Sequence, residues 1–131
     1  MGAVQSSPNV EWDRICVDRD ATVLTASRLM GRFSVDELVV TDRAANALVP
    51  IGIVCARDIV VRILAVELDP AVLRVGDITW LEPAQAVAND SLHSRLRMGN
   101  KVLPVIDREG TLTGVVLFDE LLRALARFAP N

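Results

Sequence analysis

The chain carries two versions of one segment, and that duplication limits what it can fold into. Gly52-Ile53-Val54-Cys55-Ala56-Arg57-Asp58-Ile59-Val60-Val61-Arg62-Ile63-Leu64 returns later as Gly114-Val115-Val116-Leu117-Phe118-Asp119-Glu120-Leu121-Leu122-Arg123-Ala124-Leu125. An apolar strand with an acidic end precedes each copy, Leu38-Val39-Val40-Thr41-Asp42 and Leu103-Pro104-Val105-Ile106-Asp107. Before each strand stands a helix start, Asp20-Ala21-Thr22-Val23-Leu24 and Asn89-Asp90-Ser91-Leu92. A unit this small cannot bury its apolar face alone, so the copies are expected to pack on each other, with function at the seam between them.

The copies are offset unevenly. Thr22 and Ser91 lie 69 residues apart, Leu38 and Leu103 lie 65 apart, and Gly52 and Gly114 lie 62 apart. The second copy has therefore lost about one helical turn before its hairpin and is three residues shorter within the hairpin. Such deletions belong in loops and helix ends rather than in strands. They also show that the copies have diverged, so their sites need not be equivalent.

Met1 to Asn9 is polar and small and reads as a loose tail. Ile15-Cys16-Val17 reads as a short strand. Thr22 suits an N-cap, and Val23, Ala26, Met30 and Phe33 recur on one helical face with Arg28 and Arg32 off it. Leu38 to Thr41 and Val49 to Val54 are β-branched runs around a longish loop, Asp42-Arg43-Ala44-Ala45-Asn46. Pro50 suits a strand start or an exposed edge. Asp58 is read as the cap of a following helix that buries Ile59, Ile63 and Val66. The second copy supports that helix, because Glu120-Leu121-Leu122-Arg123-Ala124-Leu125-Ala126-Arg127-Phe128 is a strong helix former. Asp69-Pro70-Ala71-Val72-Leu73 reads as a connecting helix with proline at its first position, ended by Val75-Gly76-Asp77-Ile78. Ala84 to Ala88 is a strand candidate. Leu92, Leu96 and Met98 mark a shortened helix, ended by Gly99-Asn100, and Leu103 to Ile106 pairs with Leu112 to Leu117.

Each half is thus β-α-β-β-α. The strands are apolar almost throughout, so each sheet is covered on both faces. The helices of one half cover one face, and the other face must meet the second half. The expected fold class is α/β (α+β), with two such repeats packed sheet to sheet in pseudo-two-fold symmetry. The expected division is a flexible tail over 1–13, a first repeat over 14–68, a linker over 69–77 and a second repeat over 78–131.

Composition narrows the function classes. The net charge of -3 argues against a general nucleic-acid binder. No apolar run approaches the ~18 residues that span a bilayer. Met1 to Glu11 does not resemble a secretory signal, so the expected location is the cytoplasm. Cys16 and Cys55 form no Cys-x-x-Cys pair, which disfavours a disulfide scaffold or structural zinc. His93 is the one histidine, with no metal-ligand neighbour at helical spacing. No Ser-His-Asp set, Gly-rich phosphate loop or paired carboxylates stand out, so no catalysis, metal or required cofactor is expected.

The order of elements resembles the CBS domain, named after cystathionine β-synthase, in its tandem form, the Bateman module, here standing alone. The matching motifs are the apolar strand ending in Asp107, the run from Gly52 to Asp58 before a helix, and the junction Arg74-Val75-Gly76-Asp77-Ile78. The resemblance covers roughly Ile15 to Arg127. It implies a non-catalytic sensor that binds an adenosyl ligand (AMP, ADP, ATP or S-adenosylmethionine) in the cleft between the repeats. It also implies a homodimer formed through helices and a regulated protein as partner.

The resemblance maps the ribose contact onto Asp58, whose carboxylate can accept from two hydroxyls. It maps the phosphate contact onto Cys55, a poor donor where Ser or Thr is usual. Arg57, at a helix start where an anion is favoured, is the further phosphate candidate. Cys16, Val17, Val39 and Val40 map to the adenine slot, although plain aliphatic core explains them better. The second-copy counterparts are Ala86, Val87, Pro104, Val105, Leu117 and Glu120. Leu117 cannot bind phosphate, and Glu120 reads as a cap or a solvated residue. Cys55 beside Arg57 also reads as a redox-sensitive thiol. Leu121, Leu122, Leu125 and Phe128, beside Arg123 and Arg127, offer an apolar face for a dimer. Trp12 and Trp80 read as anchors before each repeat. The alternative function is a pair whose sites have decayed, serving dimerisation and partner docking without a ligand.

Overall fold

The computed structural model describes residues 12–79 and 102–117, together with Arg123, Ala126 and Arg127. The expected strand at 84–88, the helix through Leu92, and the residues Trp80, Ala86, Val87, His93, Glu120, Leu121, Leu122, Leu125 and Phe128 lie outside the described residues.

A 3-10 turn, Trp12–Ile15, leads into β1, Cys16–Asp18. Helix α1 follows over Val23–Phe33. Thr22 caps it as expected: its hydroxyl accepts the Thr25 N–H at 3.1 Å. The face spaced at three and four residues is the buried one, with Val23, Ala26 and Met30 inside. The helix stops at Ser34, which adopts the left-handed conformation and donates its N–H to the Met30 carbonyl.

Strands β2, Glu37–Ala44, and β3, Ala47–Cys55, form an antiparallel hairpin, and β1 pairs in parallel with β2 to give the order β1-β2-β3. The expected long loop is instead a two-residue turn. Ala45 and Asn46 both have positive φ, 50° and 67°, the type I′ geometry whose twist matches the strands. Asp42, Arg43 and Ala44 therefore belong to β2. In the second half, β4, Val102–Ile106, pairs with β5, Leu112–Leu117. Its loop closes differently: Asp107 accepts the Glu109 and Thr111 N–H groups through its carboxylate, and Gly110 takes φ 87°.

The two hairpins have the same register. Leu38 pairs with Val54, Val39 with Ile53 and Val40 with Gly52; Leu103 pairs with Val116, Pro104 with Val115 and Val105 with Gly114. Both registers then slip at the same place. Thr41 pairs with Pro50 and Ile106 with Leu112, leaving Ile51 and Thr113 as the extra bulge residues. The sequence offsets of 65 and 62 thus hold strand for strand. Pro50 sits inside β3 rather than at its start, and it is buried. It is tolerated there because β3 is an edge strand and the bulge is adjacent.

The helix after β3 begins one turn earlier than expected. Cys55 is its N-cap and α2 covers Ala56–Ile59, so Asp58 is a first-turn residue rather than the cap. The chain then widens into a π-helical turn, Val60–Leu64, whose wider bonds continue past its end, Ala65 N–H to Val60 O at 2.8 Å and Leu68 N–H to Ile63 O at 2.9 Å. The widening turns Val66 outward: Ile59 and Ile63 are buried, but Val66 is 58% exposed. That corrects the three-residue face read from spacing.

The connecting helix also lies later than expected. Residues 70–73 form turns, and α3 is Val75–Ile78, with Asp77 returning a carboxylate to the Arg74 N–H at 2.9 Å. This segment is stitched to the first repeat. Val75 N–H reaches Ala21 O and Gly76 N–H reaches Arg19 O, both at 2.8 Å. Arg74 bonds to the Asp20 carbonyl and Arg62 to the Ile78 carbonyl. A Cβ on Gly76 would stand 3.1 Å from the Arg19 carbonyl oxygen, a tight approach that favours glycine.

One core unites the halves. Leu38, Val39, Val40 and Val54 from the first hairpin pack in the same cluster as Val102, Leu112 and Val115 from the second. Fully burying a Val or Leu side chain contributes about 1.5–3 kcal/mol, which explains why neither half need be stable alone. β2 touches β4 and β3 touches β5, the sheet-to-sheet contact that the two-sided apolar strands demand. Among the described residues, no helix is long and apolar enough to cross a membrane.

Candidate functional site

The candidate site stands where β3 runs into α2. Strand pairing holds Cys55 opposite Glu37, and the Ala56 N–H donates to the Asp36 carbonyl at 2.9 Å. This fixes the first turn of α2 against the head of β2. Cys55 and Asp58 are three residues apart across that turn, and the Cys55 thiol donates to Asp58 Oδ2 at 3.2 Å.

The thiol is therefore a donor in use. Its single proton is directed at Asp58, not outward toward a phosphate. Burial pushes the Cys55 thiol up; the Asp58 carboxylate pushes it the same way, while the backbone N–H groups of Asp58 and Arg57 pull it down. A thiol held protonated is a poor nucleophile. The raised pKa weighs against the redox-sensitive reading of Cys55, which rests on Arg57 and a helix start. Neither Cys55 nor Cys16 is in a disulfide.

Asp58 is half-buried and Arg57 is exposed. A carboxylate has about four lone-pair sites, so Asp58 with one thiol bond keeps Oδ1 and part of Oδ2 for other donors. Arg57, next in the chain, presents a guanidinium to solvent, a fork suited to phosphate oxygens.

Strand alternation divides the four adenine-slot candidates. Side chains of paired residues share a face, so Cys16, Glu37, Val39, Ile53 and Cys55 lie on one face of the first sheet. Val17, Leu38, Val40 and Val54 lie on the other, and all four are buried. Glu37 Oε1 accepts the Val102 N–H at 3.2 Å, which identifies the first face as the one turned to the second half. The structure thus brings Cys16 and Val39 together with Cys55 on the seam side and places Val17 and Val40 on the opposite side. In the second half, Pro104 and Leu117 share a face with Val102, while Val105 lies on the other. Leu117 occupies the place of Cys55 and supplies no hydrogen-bonding group. Among the described residues, no group of three His, Cys, Asp or Glu could hold a metal ion.

Sequence reasoning missed Glu37. Only 6% exposed, it is one of the buried polar residues of the described core. The available signal was its position: a carboxylate immediately before Leu38, aligned with a valine in the other copy.

The sequence profile of the CBS domain matches residues 7–65. Inosine-5'-monophosphate dehydrogenase of Bifidobacterium longum is 33% identical over 126 residues, which is 91% of this chain. The chain spans only 22% of that relative's length. Two solved structures share the fold. A putative signal-transduction protein with CBS domains from Burkholderia ambifaria MC40-6 superposes with a TM-score of 0.64 at 21% identity, covering 88% of this chain and 85% of that one. A CBS domain protein from Pyrobaculum aerophilum complexed with AMP gives 0.60 at 21% identity, covering 86% and 91%. Residues 7–65 thus match the CBS-domain model, and the fold, two hairpins in one register joined through a single core, is the one seen in these CBS-domain structures over most of the chain.

Proposed function

We propose that the chain is a non-catalytic regulatory module that binds an adenine nucleotide or related adenosyl ligand in the cleft between its repeats, at the end beside Asp58. The observation that carries this reading is the Cys55–Asp58 pair at the start of α2. The thiol holds one carboxylate oxygen in place and leaves acceptor capacity for the two ribose hydroxyls. Arg57 supplies charge for a phosphate. Cys16, half-buried on the same face, supplies an apolar wall for a base, backed by Val39, which is fully buried. The AMP complex of the Pyrobaculum aerophilum protein supports the ligand class. Ligand binding regulates a partner only if it favours one packing of the repeats over another.

The first repeat is the active one in this reading, since Leu117 stands where Cys55 stands. The test is thermal stabilisation by AMP, ADP, ATP and S-adenosylmethionine. A ligand at ~100 times its dissociation constant should stabilise the chain by ~2.7 kcal/mol. Asp58→Ala should abolish that gain and Glu120→Ala should leave it nearly unchanged. Equal losses in both variants refute the asymmetry. No stabilisation by any of the four favours a ligand-free dimerisation and docking module instead.

The same reading includes a homodimer. Val60, Val61 and Leu64 on the π-helical turn are each more than half exposed, and Leu68 and Val72, further along the chain, are exposed as well. Apolar side chains grouped in this way favour burial against another surface. A monomer by light scattering at micromolar concentration would count against it.

A further inference from the structure

Glu37 is a buried acid that the proposed nucleotide site does not use. Among its partners is the Val102 N–H, 65 residues further along the chain. That is also the offset relating β2 to β4, so the bond joins a residue to its own repeat counterpart. A contact between equivalent positions lies beside the pseudo-two-fold axis. Here it is one-sided, because the second copy has valine where the first has glutamate. Taking a carboxylate out of water costs several kcal/mol unless it is well compensated, and apolar packing alone does not need an acid at that place. The strand position that carries Glu37 also faces Cys55 in the sheet. Its neighbour Asp36 accepts the first N–H of α2.

We propose that Glu37 is a positioning residue for ligand binding: it pins β4 of the second repeat to the corner that carries Cys55 and Asp58, and so sets the width of the cleft there. It acts through the placement of Asp58 and touches no ligand itself. The inference rests on reading that cleft as the nucleotide site.

Three variants of the full chain test it, with AMP affinity by calorimetry and amide exchange at Val102 as readouts. Glu37→Gln keeps a carbonyl oxygen in reach and should retain both Val102 protection and AMP affinity. Glu37→Leu removes the acceptor at similar size. It should speed Val102 exchange about tenfold and weaken AMP about tenfold, within the range of ordinary coupling between sites. Glu37→Asp shortens the acid and should behave like Glu37→Leu, which keeps the test decisive if the leucine variant does not fold. Unchanged exchange and affinity in the folded Leu or Asp variant overturn the proposal, as does a glutamine variant as impaired as leucine. If the wild-type chain does not bind AMP, affinity is read with ADP, ATP or S-adenosylmethionine, and failure with all four overturns the nucleotide reading and the cleft-setting role together. The pin is then judged on Val102 exchange alone, and an unaltered rate overturns it too.

Discussion

The hairpins β2–β3 and β4–β5 pair residue for residue and slip at equivalent positions, yet the corners they lead into carry different chemistry. Cys55 at the end of β3 engages a carboxylate; Leu117 at the end of β5 has nothing to offer one. Register is enforced by burial, because a one-residue slip would turn Leu38, Val54 and their partners to the wrong face. No such penalty protects the last residue of a strand at a cleft. The duplicated scaffold thus held while the site was free to diverge in one copy.

The comparison breaks most visibly in the core. Leu38 is fully buried, whereas its counterpart Leu103 is only half-buried. Leu38→Ala should cost about 2–5 kcal/mol, and Leu103→Ala about half as much, by urea denaturation. Equal losses would show that the two sheets are buried alike. The turns come next. Gly110→Ala, at φ 87°, should lose about 1 kcal/mol, whereas Ala45→Gly, at φ 50°, should gain about 0.5 kcal/mol. A gain in both would mean that the loops are less distinct than their backbones suggest.

The smallest effect concerns the thiol. The folded Cys55 has its pKa raised, chiefly by burial. Folding therefore favours the protonated thiol, and the stability this contributes is full below the unfolded thiol's pKa. It is lost as pH rises through the folded value. In a Cys16→Ser background, stability should decline across the alkaline thiol range, and Cys55→Ala should remove part of that decline. The chain contains no tyrosine to obscure the measurement. Iodoacetamide should also modify Cys55 at neutral pH more slowly than a free thiol.

Much of this architecture was legible in the residues. Thr22 as a cap, the Val23-Ala26-Met30 face and the paired apolar strands follow from short-range rules of spacing and hydrogen bonding. The misread places have a common cause. Asp58 is a favourable cap by residue type, but the strand pairing of Cys55 with Glu37 starts the helix earlier. Val66 fits an α-helical face by spacing, and a π turn rotates it out. Ala45 carries no turn signal of its own, so the tight I′ turn went unread. The candidate site was half legible: Asp58 came from the resemblance and Arg57 from its place at a helix start, whereas the Cys55 bond to Asp58 depends on where the helix begins and the role of Glu37 on a neighbour across the seam.

The sequence by itself determined that the chain is a duplication, that both sheets are covered on both faces, and that the two halves must therefore close on each other. These follow because hydrophobic burial responds to pattern and needs no particular partner. Only the tertiary structure decided that Cys55 donates to Asp58, that Val39 faces the seam while Val40 faces away, and that a buried carboxylate reaches the backbone of its own counterpart. Hydrogen bonds depend on distance and direction, and those are set only once two distant stretches of chain have been brought together.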